Sequence, residues 1–111
     1  MIFYVFGIKE PIAPLFSLQV AERTLRDAGY NVFDPASNGK MTVAASHAGL
    51  GIMVTVLALD ADGGTATTIN AFCTAEAAGG VARITAEAIY NNINHAMNPG
   101  GQVRIPRLPQ L

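Results

Sequence analysis

Two histidines, a pair of aspartates in one turn and a single cysteine are the residues of this chain best suited to chemistry. His47 precedes Ala48 and Gly49, so it stands where a strand ends. There an imidazole could act as a general base or contact a ligand, because it titrates near neutrality. The plainer reading is a polar residue in a turn, since catalysis by a lone histidine is rare. His95 falls near the end of a helical pattern, where the helix dipole favours a cation without any catalytic role. An enzyme built from this chain would pair His47 or His95 with Asp60 or Asp62. The run Asp60-Ala-Asp62-Gly-Gly begins like a calcium loop, yet the twelfth position, which needs a bidentate glutamate, is Ala71. A hairpin turn explains Asp and Gly there without a metal. Cys73 has no CxxC partner and no zinc-ligand spacing, and reads as a small buried hydrophobe. Gly79-Gly80 could let backbone amides approach an anion, but the lysine and hydroxyl of a P-loop are missing, so close helix packing is the default. Hydrolases and transferases need more convergent ionisable groups than these. The residues favour a non-enzymatic module with no cofactor and no metal.

The charge balance narrows the partners. Charged residues make up 14% of the 111, against about 25% in an average soluble domain. Net charge is −1 and no Lys/Arg run occurs, which argues against nucleic acid. The apolar residues 1–6 lack a basic leader and are too few for a signal peptide's apolar region or a bilayer span. With one cysteine, unable to form an internal disulfide, the expectation is a cytoplasmic protein that does not engage membranes.

The elements that would position these residues follow from periodicity. Residues 2–6 read as a short strand, and residues 7–14 as a connector marked by Pro11 and Pro14. A helix is expected over 17–28, capped by Ser17, with Leu18, Ala21, Leu25 and Ala28 on one stripe and Gly29 as its stop. Strands follow at 30–34, 41–47, 52–59 and 65–73, joined by turns at 35–39, 48–51 and 60–64. Thr74 can cap a second helix whose Ala82, Ala86, Ile89, Ile93 and Ala96 share a face, widened by Val81 and Ile84. The order β-α-β-β-β-β-α predicts an α+β two-layer sandwich, an antiparallel four- to five-stranded meander with two helices on one face. Residues 1–98 form the single domain and 99–111 an extended, proline-rich tail.

Between residues 41 and 75 the only charges are Asp60 and Asp62. A sheet with one solvated face should alternate apolar with polar residues, and residues 52–59 do not. Ile52, Val54, Val56 and Ala58 can face the helices, which leaves Met53, Thr55, Leu57 and Leu59 on the other side in need of cover. Three covers are open. A second copy could pair face to face as a homodimer; the tail could fold back through Val103, Ile105, Leu108 and Leu111; or curvature could enclose a cavity for a small apolar ligand. The expected function is a self-associating module using this face or the tail. The alternatives are the small histidine enzyme above and an adaptor, inhibitor or chaperone-like module presenting the sheet or tail to another protein.

Overall fold

In the computed structural model, which describes residues 1–96, strand β1 spans Ile2–Glu10. It therefore runs through Gly7 into the segment expected to be a connector. Partners explain the extension: every residue from Ile2 to Glu10 lies in unbroken register with β5, Gly64–Cys73. Helix α1 spans Pro14–Asp27, with Ala13 as N-cap and proline in the first turn, where its missing N–H costs nothing. Ser17, expected as the cap, instead lies inside the helix and is buried. Its hydroxyl donates to Glu10 Oε1 at 2.6 Å. The stop at Gly29 is as expected: φ is +89°, the Gly29 N–H bonds to the Arg26 carbonyl and the Tyr30 N–H to the Leu25 carbonyl. That pair of bonds is a Schellman closure.

Strands β2, Asn31–Asp34, β3, Thr42–His47, and β4, Ile52–Ala61, complete the sheet, whose spatial order is β1-β5-β4-β3-β2. Every neighbouring pair is antiparallel. Asp60, expected in a turn, belongs to β4; the reversal is confined to Asp62 and Gly63, with Gly63 at φ +79°. Helix α2, Gly79–Ala96, follows a single 3-10 turn, Glu76–Ala78, which begins at Ala75 without the side-chain bond expected of Thr74. Ala82, Ala86, Ile89 and Ile93 are buried as the spacing predicts, whereas Ile84 is exposed.

Both helices lie on one face of the five-stranded sheet and pack against each other, giving the α+β two-layer sandwich. The core fills the space between the layers: Leu18, Ala21 and Leu25 of α1 and Ile89 and Ile93 of α2 meet Val43, Val54, Val56 and Ile69 of the sheet. No helix among the described residues is long and apolar enough to cross a membrane. The expected tail, 99–111, with Val103, Ile105, Leu108 and Leu111, lies outside the described residues.

Candidate functional site

Strand alternation divides β4 cleanly. Ile52, Val54, Val56 and Ala58 are at most 2% exposed beneath the helices. Met53, Leu57 and Leu59 point the other way and are 36%, 36% and 42% exposed. Register extends this face across the sheet in rows. Phe3, Phe72, Met53 and Ser46 make one row; Val5, Asn70, Thr55 and Ala44 the next; Gly7, Thr68, Leu57 and Thr42 a third. Phe3 and Phe72 stack with ring centroids 5.9 Å apart and planes 8° from parallel. The helices leave this face bare.

Its charges sit at the rims. Lys9 lies on edge strand β1, in the row of Ala66 and Leu59. At the opposite edge the carboxylate of Asp34 accepts from the Lys40 ammonium and, at 2.8 Å, from the Thr42 hydroxyl. The Lys40 hydrogen bond, seconded by Thr42, holds the Asp34 carboxyl below its ordinary value. Between the rims the face carries hydroxyls, one amide and apolar groups only.

His47 does not converge with Asp60, Asp62 or His95. His47 is on the helix side of β3, edge-on to the Tyr30 ring at 5.5 Å, with Nδ1 buried and unpartnered among the described residues. It pairs with Ile52 at the start of β4, while Asp60 lies near the other end, about 26 Å away along the strand. Asp62 is one turn further on. His95 is in the last turn of α2, a helix that starts beside Ile2 at the His47 end of the sheet. Roughly 24 Å of helix separates Gly79 from His95. Asp60 lines a cleft of about 400 Å³ between the start of α1 and the β2–β3 loop, together with Asn38 and Lys40. None of Phe3, Phe72, Met53, Leu57 and Leu59 lines that cleft. No group of three His, Cys, Asp or Glu side chains gathers among the described residues.

No protein-family model, curated protein or solved structure matches this chain. Its candidate site therefore rests on geometry alone, and the bare face is the feature geometry singles out.

Sequence reasoning named the β4 residues of this face but missed Phe3, Val5 and Phe72. Residues 2–6 are bulky at every position, so parity alone does not say which set turns away from the helices. It also missed a buried polar cluster. The Glu10 carboxylate, 1% exposed, accepts at Oε1 from both Ser17 and Thr67 at 2.6 Å, while Oε2 has no partner among the described residues. Separations of 7 and 57 residues leave no motif to read. Tyr30 is a further buried polar group, its hydroxyl 2.8 Å from that of Thr85. Burial pushes the Tyr30 phenol above its ordinary value.

Proposed function

We propose that this protein is a non-enzymatic module that self-associates through the bare face of its sheet, two copies packing face to face. The observation that carries this reading is the row of Phe3, Phe72 and Met53, with Val5 in the next row and Leu57 and Leu59 in the two beyond it, on a face that no helix among the described residues covers. Contiguous exposed apolar patches above a few hundred Å² are rare on monomers.

Size and charge favour a second copy as the occupant. At about 3.3 Å per residue and 4.8 Å between strands, the five strands span roughly 600 Å². Two such faces meeting would bury about 1,200 Å², the lower bound for a stable interface. A two-fold axis parallel to the strands lays β1 of each copy over β2 of the other. Lys9 then faces the rim where Asp34 and Lys40 neutralise each other, and no two unpaired cations meet. Aligned sheet-on-sheet packing of this kind is a common solution for two apolar sheet faces. The buried thiol of Cys73, which bonds to the Ala75 carbonyl, supports work in a reducing compartment such as the cytoplasm.

The test is sedimentation velocity of the full chain beside Leu57→Lys, with circular dichroism to check the fold. Leu57 is central and exposed, so lysine there leaves the core untouched but places a charge in the interface. A wild type of dimeric mass or larger and a folded variant of lower mass are expected. A wild type that stays monomeric throughout the micromolar range would overturn the reading, as would a variant of unchanged mass.

A further inference from the structure

The two edges of the sheet are built differently. Edge strand β2 is four residues long, is broken by a bulge between Val32 and Asp34, and ends in a charge followed by Pro35. Short length, a bulge, a charge and a proline are the devices by which proteins prevent strands from adding to an edge. Edge strand β1 has nine residues, no proline and an unbroken register against β5. Its two charges, Lys9 and Glu10, stand at one end, and Glu10 is turned inward and buried. Among the described residues no strand pairs with its outer side. An antiparallel strand directs the N–H and C=O of alternate residues to each side, so half of this backbone lacks a ladder partner. The side chains are half-finished too. Ile2, Tyr4, Phe6 and Ile8 face the helix layer but are only partly buried, whereas Val54 and Val56 in the middle of the sheet are fully buried.

We infer that the outer edge of β1 pairs antiparallel with β1 of a second copy, joining two five-stranded sheets into one of ten. A two-fold axis perpendicular to the sheet keeps both helix layers on one side and both bare faces on the other. Inward residues then meet inward residues, and Phe3 and Val5 meet their counterparts on the bare face. The second copy is the occupant because it offers an equally long strand with every donor present. The chain's own residues 97–111 offer less: Pro99, Pro106 and Pro109 lack the N–H, and the longest stretch between them is 100–105. This edge contact is separate from the face contact above; because the face contact lays β1 over β2, the two axes do not meet, and molecules using both would extend as a two-layer ribbon.

Amide hydrogen exchange of the full-length wild type, read residue by residue at high and low protein concentration, tests the inference. At low concentration the β1 amides should alternate between slow and fast. At high concentration the fast set should slow by about tenfold or more. Leu57→Lys, which breaks only the face contact, should keep that slowing. Fast outward amides at a concentration where sedimentation shows assembly would overturn the edge pairing and leave the face reading standing. Slowing at every concentration that disappears when residues 99–111 are deleted would also overturn it, because the tail would then be the pairing strand. Slowing that survives in Leu57→Lys while that variant keeps the wild-type mass would sink the face reading alone.

Discussion

Glu10 ties the end of β1 to both of its neighbours, since Ser17 belongs to α1 and Thr67 to β5. Truncation to alanine would leave two buried hydroxyls without an acceptor and open a small cavity. Together these should destabilise the fold by about 2–4 kcal/mol. Urea unfolding of Glu10→Ala measures this, and a loss under about 0.5 kcal/mol, the scale of a neutral surface change, would show that the cluster is not interior. Two exposed-side carboxylates set the acid response. Burial raises the Glu22 carboxyl, but the Arg26 guanidinium and the Ala36 amide outweigh it and leave it below 4.5. Asp34 is held below 3.8, chiefly by Lys40. A carboxyl depressed in the folded state adds stability above its unfolded value and loses it as pH falls through the folded one. The double variant Glu22→Gln, Asp34→Asn should therefore lose less stability than wild type between about pH 5 and pH 2. Parallel urea midpoints for the two across that window would contradict these assignments.

Glycines of opposite consequence sit at the ends of two elements. A Cβ on Gly64, the first residue of β5, would lie 2.0 Å from the Glu10 carbonyl oxygen and 2.8 Å from Pro11 Cα. Both are backbone atoms that cannot swing aside. Gly64→Ala must open the junction of β1 and β5 and should cost roughly 3 kcal/mol, the upper range for overpacking. Gly80, in the first turn of α2, has open space around it. Gly80→Ala should stabilise by about 0.5–1 kcal/mol through helix propensity and a less entropic unfolded chain. Thermal melts of the two variants should move in opposite directions; a neutral Gly64→Ala would mean the hairpin does not abut β1. The element order, the α1 stop at Gly29 and the inward set of β4 were legible because each rests on local periodicity or one turn residue. The reach of β1 past Gly7 and the true start of α1 were not. Both depend on partners distant in sequence, Thr65 and Thr67 across the ladder and Glu10 beneath Ser17, which override the local signals of Gly7 and of a capping serine. The same limit hid half of the bare face: β4 announced itself by failing to alternate, while Phe3, Val5 and Phe72 could be assigned only once their register with β4 was known.

At the scale of the whole molecule, the sheet is covered on one face only among the described residues, a sandwich with one layer to be supplied. If a second copy supplies that layer, folding and association are linked, and apparent stability must rise with protein concentration by mass action. For a dimer that unfolds to monomers, each tenfold increase in concentration adds about 1.4 kcal/mol to the free energy separating dimer from unfolded chains. For a domain of about 100 residues such a change raises the melting temperature by several degrees, roughly 4–8 °C per kcal/mol. A monomer shows no such dependence. Leu57→Lys separates the two contributions, because Leu57 lies outside the buried core and its replacement should leave the intrinsic stability of one copy nearly intact. The variant's melting temperature should depend on concentration less steeply than that of the wild type, and the two should converge on dilution. Wild type and variant curves that coincide at every concentration would mean that the bare face contributes nothing to the folded assembly. The row from Phe3 to Met53 would then be exposed apolar surface without a partner copy.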